Sequence, residues 1–397
     1  MSKKEMTLSL EELGRLVDTS GGTVVGSVSQ EIKRVDAATF IGKGKVEEIG
    51  RLAEELGADI VVIDDDISPV QNKNLEDRLG LFVLGRTAVI LDIFALRAHT
   101  KEGKLQVELA QLQYLAPRLV GRGETFSQQV GRIGTRGPGE TALECDRRRI
   151  RERITKLRRN LESVRAHRRI HRMKRDAVPI PLVSMVGYTN AGKSTLMNAM
   201  TDADVFVEDK LFATLDPTIR RLRLPSGREV LLADTVGFIR RLPHELVESF
   251  RSTFEEVSYS HMLLHIIDGS DEEAGEHAGT VENVLAEMKL NHKPRIDVIN
   301  KVDVDEICFK GDRNSVKVSA LKGVGIENLL GRLDEALKLE FRRILLRLPF
   351  DRGDILSGLY RMGYVWRVEY EGDGILVDCE LHQKFYGKYR SYEVVEG

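Results

Sequence analysis

Apolar and polar positions alternate along this chain with a period that changes three times. Over the first hundred residues the apolar runs are short. Thr23-Val24-Val25 predicts a strand, Val46 to Leu56 ended by Gly57 predicts a helix, and Ile60 to Ile63 before Asp64-Asp65-Asp66 predicts a second strand. Strand, helix, strand in that order predicts a small α/β domain over residues 1–104. Within it, Gly42-Lys43-Gly44-Lys45 reads as a plain turn into a helix in preference to a phosphate site, because no full phosphate-loop pattern follows. From Leu105 the spacing becomes helical: Leu105, Leu109, Leu112, Ala116 and Leu119 form one stripe, and Ile150, Ile154, Leu157, Leu161 and Val164 form another. Two such seams around a breaker-rich stretch predict an antiparallel helical hairpin over 105–178, each helix covering the other's stripe.

The pattern then turns to continuous apolar runs. Pro179 to Val186, Val230 to Ala233, Ile296 to Ile299 and Val316 to Val318 read as strands of a buried parallel sheet, and they predict a doubly wound α/β domain over 179–340. In 341–397, Ile344-Leu345-Leu346 reads as a strand and Asp354 to Met362 as a helix ended by Gly363. Val365 to Tyr370 pairs with Ile375 to Leu381 across Glu371-Gly372-Asp373-Gly374, which gives a small C-terminal α/β unit. Phe385, Tyr386, Tyr389 and Tyr392 interleave with Lys384, Lys388 and Arg390; core aromatics are the better reading, a nucleic-acid contact the weaker one.

Composition adds one correction to this picture. Of 397 residues, 42% are hydrophobic and 31% charged, which excludes disorder as the main state. The formal net charge is −2, but it is unevenly held. Residues 1–100 carry 12 Lys+Arg against 17 Asp+Glu, residues 101–178 carry 20 against 9, and the remainder 28 against 36. Between Arg147 and Arg175 there are 14 Lys+Arg and only Glu152 and Glu162 as acids. The intervening tip, residues 121–139, holds six glycines with Arg122, Arg132 and Arg136. A basic face on one helix is commonly just solvated. A basic arm carrying a basic, glycine-rich tip favours RNA or another phosphate-rich surface. Cys145, Cys308 and Cys379 have neither disulfide nor zinc spacing, and neither a signal peptide nor a membrane span is evident, so a soluble cytoplasmic protein is expected.

The chemistry sits where the parallel-sheet pattern begins. The first strand runs into Gly187, Tyr188, Thr189, Asn190, Ala191, Gly192, Lys193, Ser194 and Thr195, and a helical segment follows: G-x-x-x-x-G-K-S in its proper setting. The loop amides and Lys193 would bind phosphate, and the Ser194 hydroxyl would ligate Mg²⁺. Further along, Asp234-Thr235-Val236-Gly237 ends a strand; its Asp can hold a magnesium water and its Gly amide can meet the γ-phosphate. Asn300-Lys301-Val302-Asp303 ends another, and a carboxylate there accepts two hydrogen bonds from guanine that adenine cannot offer. Ser319, Ala320 and Leu321 supply a backbone loop for guanine O6. Between the first two elements, Phe212, Ala213, Thr214, Leu215 and Asp216 form a segment in which Thr214 can complete the Mg²⁺ shell when the γ-phosphate is present. Lys193, Thr214 and Gly237 are the expected catalytic groups. Phe238 stands where many GTPases place a water-orienting glutamine, so slow intrinsic hydrolysis is expected, and Asn190 suggests a K⁺ requirement.

On these elements the chain resembles the HflX family of translation-associated GTPases, over nearly its whole length. The resemblance rests on Gly187 to Thr195, FATLDPT from Phe212 and DTVGF from Asp234. Outside the nucleotide site it also rests on LDIFALRA from Leu91, QVELAQ from Gln106, GTRGPGE from Gly134 and DRRR from Asp146. It implies binding to the 50S ribosomal subunit and its 23S rRNA, with the hairpin tip directed toward the peptidyl transferase region, and splitting or rescue of stalled 70S ribosomes. A monomer in the cytoplasm, partly on ribosomes or at the membrane surface, is what the resemblance implies. Val130 and Arg132 flank Gly131 where family tips carry more glycine, and Ala142 stands where glutamine is common. Two rivals stand beside this reading: an RNA-binding scaffold whose guanine nucleotide is structural, and a GTPase serving RNA modification or membrane delivery.

Overall fold

The computed structural model describes residues 3–32, 34–119, 142–176, 180–201, 211–241, 255–304, 307–338 and 341–394. The glycine-rich tip at 121–139 lies outside the described residues. Compactness divides the chain into two units. The first comprises the N-terminal residues through Ser163 together with 211–216 and Arg241; the second holds the remainder.

In the first unit, α1 (Lys3–Thr19) leads through an extended segment to α2 (Lys43–Leu56), β1 (Ile60–Ile63), α3 (Pro69–Leu79), β2 (Phe82–Gly85), α4 (Arg86–Arg97) and α5 (Lys101–Leu115). β1 and β2 are parallel, Ile60 opposite Phe82, with α3 as the crossover between them. The helix ends follow local chemistry. Gly57 closes α2 at φ +64, a left-handed conformation that favours glycine. Ser68 and Gln71 form a reciprocal capping box at the start of α3, with Pro69 next to the cap. Ile41, Val46, Ile67, Leu75 and Val83 make the core beneath. The strand expected at Thr23-Val24-Val25 does not form: both valines are about half exposed (47% and 50%). Their β-branching is a preference for a pleated, half-buried surface, and no strand pairs with them there. The Gly42-to-Lys45 string is the expected turn into α2, with Lys45 paired to Glu48 at 2.8 Å.

The helical pair is present as its seams predict. α6 (Ala142–Asp176) lays Ile154, Leu157 and Leu161 against Leu105, Leu109 and Leu112 of α5. Arg153 makes a two-pronged ion pair with Glu108 across the seam, at 2.6 and 2.8 Å. The remainder of that stretch, Arg148, Arg149, Arg151, Lys156, Arg158 and Arg159, faces solvent.

The second unit is built on a six-stranded sheet. Its strands are β3 (Leu182–Gly187), β4 (Thr218–Arg223), β5 (Glu229–Asp234), β6 (Met262–Asp268), β7 (Arg295–Asn300) and β8 (Val316–Lys317), in the order β4-β5-β3-β6-β7-β8. Only β4 runs antiparallel. α7 (Lys193–Thr201), α8 (Glu255–Tyr259), α9 (Ala274–Glu287) and α10 (Ile326–Lys338) accompany it. Val183, Met185, Leu232, Leu264, Ile266 and Val298 are fully or nearly fully buried, the continuous apolar strands of a doubly wound sheet. The C-terminal residues add β9 (Phe341–Leu348), α11 (Gly353–Met362), β10 (Gly363–Glu371), β11 (Gly374–His382) and α12 (Gln383–Tyr389), with β11 central in an antiparallel sheet. Tyr389 is buried there and Phe385, Tyr386 and Tyr392 pack against the same core, so the aromatic cluster is structural. A buried ion cluster ties the two sheets: Arg228 pairs with Glu380 of β11 and lies 3.7 Å from Asp334 of α10, all three side chains 5–6% exposed. Among the described residues no helix is long and apolar enough to cross a membrane.

Candidate functional site: a guanine-nucleotide site

The phosphate loop leaves β3 at Gly187, where a Cβ would collide with the Ile266 carbonyl of the neighbouring strand. The chain then turns through Asn190 at φ +62 and Gly192 at φ +89. At Gly192 a side chain would strike the Asn300 amide, so glycine is required twice over. Asn300, buried at the end of β7, holds two loops together. Its Nδ2 donates to the Ala191 carbonyl at 2.9 Å, and its Oδ1 accepts from the Ala320 amide at 3.0 Å. One side chain thereby fixes the phosphate loop against the Ser319-Ala320 loop.

Lys193 opens α7 and is almost wholly buried. Its Nζ donates to the carbonyls of Gly187 (3.1 Å) and Tyr188 (2.7 Å). Burial pushes its pKa down to about 8, against an opposing pull from the Asp234 carboxylate. Ser194 donates to Asp234 Oδ2 at 2.6 Å, which brings the expected metal hydroxyl beside the expected metal-water carboxylate. This donor set fits Mg²⁺, which keeps most of its waters and takes one or two protein oxygens plus phosphate oxygens. Among the described residues no group of three or more His, Cys, Asp or Glu could hold a metal. Thr235, fully buried, donates its hydroxyl to the Met185 carbonyl, and Val236 is buried; both brace the loop.

At the base end, Asp303 is held below the usual carboxylate range, first by a hydrogen bond from Ser319 and further by Lys322. It is therefore ionised at neutral pH, an acceptor-only carboxylate. Lys301 adopts φ +63 and pairs with Asp268 at 2.6 Å. Leu321 is 79% exposed at the rim.

The segment from Phe212 to Asp216 groups with the first unit. Phe212, at φ +54, is buried edge-on against Phe94 of α4, ring centroids 4.8 Å apart. Thr100 caps α5, accepting from the Gly103 amide at 2.9 Å, and Asp216 holds that cap: its Oδ2 accepts from the backbone amides of His99 (2.9 Å) and Thr100 (2.8 Å), and its Oδ1 from the Thr100 hydroxyl. Thr214 lies between these two anchors, and Ala213 and Leu215 flank it. Sequence spacing carries no sign of this anchoring, since the partners lie more than a hundred positions away.

Phe238 is completely buried, so its ring orients no water. Its backbone pairs with the phosphate loop: Phe238 N–H donates to Gly187 O at 3.1 Å, and Thr189 N–H donates to Phe238 O at 2.7 Å. Beside Tyr188, four residues outside the motifs surround this pairing: Arg240, Glu273, Glu276 and His277. The Tyr188 hydroxyl accepts from the Arg240 amide at 2.9 Å, the Tyr188 ring stacks on His277 of α9 at 3.8 Å, and the Arg240 guanidinium pairs with Glu273 and Glu276.

Comparison with known proteins agrees with this geometry. Residues 7–95 match the family model of the GTP-binding GTPase N-terminal region, 97–175 that of the GTP-binding GTPase middle region, and 182–301 that of the 50S ribosome-binding GTPases. The GTPase HflX of Caldanaerobacter subterraneus is 48% identical over 96% of this chain and 89% of its own. The GTPase HflX of Lacrimispora saccharolytica is 45% identical over 95% and 90%. Among solved structures, that of SsGBP in complex with GDP is 26% identical, covers 83% of this chain and 95% of that one, and superposes at a TM-score of 0.46. With a phosphate loop between β3 and α7, three matching family models in order and relatives at this identity over its length, the chain belongs to the HflX family of GTPases.

Proposed function

We propose that this GTPase binds the large (50S) ribosomal subunit through 23S rRNA and uses the energy of that engagement to split or rescue stalled 70S ribosomes, with bound GTP as the condition for engagement. The observation that carries the reading is α6. Its apolar seam is satisfied by α5, while Arg148, Arg149, Arg151, Lys156, Arg158 and Arg159 face solvent in one short stretch. A helix braced along one side and basic on the other is a rigid surface for phosphate. The matching family model, described as 50S ribosome-binding GTPases, supports the same partner.

In this reading Lys193 and the loop amides from Tyr188 to Thr195 stabilise phosphate charge, Gly237 meets the γ-phosphate, and Asp303 selects guanine. Ser194 and Thr214 hold Mg²⁺, which supplies charge neutralisation on the phosphates. Asn190, exposed at φ +62, holds a K⁺ ion beside them. Equal turnover in sodium and potassium buffers would count against that last assignment. Hydrolysis by the isolated protein is slow because Phe238 offers no hydrogen bond to water, and the ribosome orders the site.

The experiment is sedimentation with 50S, 30S and 70S particles across a salt series, using the wild type and a variant with Arg149, Arg151, Lys156, Arg158 and Arg159 changed to Gln. The variant should bind 50S particles more weakly, with a log–log salt slope reduced by about one for each phosphate that is no longer neutralised. Unchanged affinity and slope would refute the role of the arm.

A further inference from the structure

On the nucleotide roles proposed above, a diphosphate and a triphosphate make different demands on the segment after Asp234. A diphosphate uses the loop amides, Lys193 and Ser194, and none of these belongs to the segment after Asp234. A γ-phosphate also needs the Gly237 amide. In the structure Gly237 is seated against the loop: a Cβ there would lie 2.8 Å from Thr189 Cα, 2.9 Å from Thr189 Cγ2 and 3.1 Å from Lys193 Nζ. The groups that must clasp a γ-phosphate from two sides are thus in contact with each other.

What keeps them together is the latch that follows. Tyr188 and Phe238 form a parallel bridge with two backbone hydrogen bonds, and the Arg240 amide adds a third to the Tyr188 hydroxyl. Each end is then fixed to α9. The Tyr188 ring lies flat on His277, the interplanar angle only 13°. The Arg240 guanidinium meets Glu273 at 2.9 Å and Glu276 at 2.8 Å. His277 is in turn held by Asp271 at 3.1 Å. All of these residues belong to the second unit.

We propose that Tyr188 and Arg240 are specificity-determining residues that latch the Gly237–Arg240 segment onto the phosphate loop and thereby weaken binding of guanosine triphosphate relative to diphosphate. GTP binds the open form alone, so its apparent affinity is reduced by the fraction of molecules that are latched, whereas GDP binds both forms. Tyr188 reads no phosphate in this role. Its hydroxyl is an acceptor for the backbone of the segment that does.

The test compares dissociation constants for GDP and for a slowly hydrolysed GTP analogue in the full-length protein. Tyr188→Phe keeps the ring on His277 and removes the acceptor; Arg240→Gln removes the ion pairs to α9. Each should lower the ratio of triphosphate to diphosphate dissociation constants by about fivefold or more, through tighter triphosphate binding. The double variant should gain less than the product of the two, because both open one latch. Hydrogen exchange on the wild type gives an independent reading: the amides of Phe238 and Arg240 should lose protection when the analogue replaces GDP. An unchanged affinity ratio in both single variants, or equal protection of those amides in the two nucleotide states, would overturn the proposal.

Discussion

Lys193 shows what a single buried charge does to the chemistry of the site. Its pKa of about 8, against 10.5 for a free lysine, follows from burial outweighing the pull of Asp234. In the nucleotide-free protein the ammonium therefore loses its proton as pH rises through 8, while a bound phosphate favours the charged form. GDP affinity should fall about tenfold between pH 7 and pH 9, with proton uptake on binding detectable by calorimetry in buffers of different ionisation enthalpy. A flat affinity profile across that range would contradict the assignment. The same shift acts on stability with the opposite sense. Between pH 8 and 10.5 the unfolded chain holds the proton that the folded one has released, so this group favours folding more as pH rises through that window. Asp303 is the proposed guanine-selecting group. Changing it to Asn replaces an acceptor with a donor, so GDP binding should weaken by about a hundredfold or more, while xanthosine diphosphate, with a carbonyl at C2, should gain. Competition assays with the two nucleotides read this directly. At this scale the phosphate loop and the Ser194–Asp234 contact are legible in the sequence, because a G-x-x-x-x-G-K-S spacing after a strand sets the local geometry. Tyr188 as a hydroxyl acceptor for Arg240 is not legible, because the pairing spans 52 positions and depends on how the strand after Asp234 lies beside β3.

Among elements, periodicity is informative where it can be satisfied locally. The α5 and α6 stripes predict their own partner, since each is too narrow to face anything but a similar seam, and Leu109, Leu157 and Leu161 meet there. Leu157→Ala should cost about 2–5 kcal/mol in the cooperative unfolding of the first unit, measured by denaturant titration. The Thr23-Val24-Val25 run shares the composition of a strand without a neighbour to pair with, and composition alone carries no information about neighbours. Buried ion clusters are equally silent in sequence. Arg86 of α4, only 2% exposed, pairs with Glu12 of α1 and with Asp64 after β1, and Arg228 does the same for the two sheets of the second unit. Glu380→Ala should destabilise the second unit by about 3–5 kcal/mol, because it leaves a guanidinium buried with a carboxylate removed. Glu380→Ala melting within a degree of wild type would mean that the Arg228 charge finds water instead. The hold of Asp216 on the Thr100 cap belongs to this scale too: the segment carrying Thr214 is tied to the start of α5 by three hydrogen bonds.

For the whole molecule, the net charge of −2 is a cancellation between a basic stretch, 101–178, and acidic flanks. The excess of Lys and Arg in 101–178 lies on the helix that α5 braces, and the acidic remainder carries the nucleotide machinery and the flanking folds. In the function proposed above, the nucleotide governs engagement of the basic arm. Segment 211–216, which contains Thr214, groups with the first unit. The decisive measurement is the dissociation constant for purified 50S subunits at fixed ionic strength, with the protein loaded with a slowly hydrolysed GTP analogue or with GDP. The account predicts at least tenfold tighter binding in the triphosphate state. Equal affinity in the two states would contradict it.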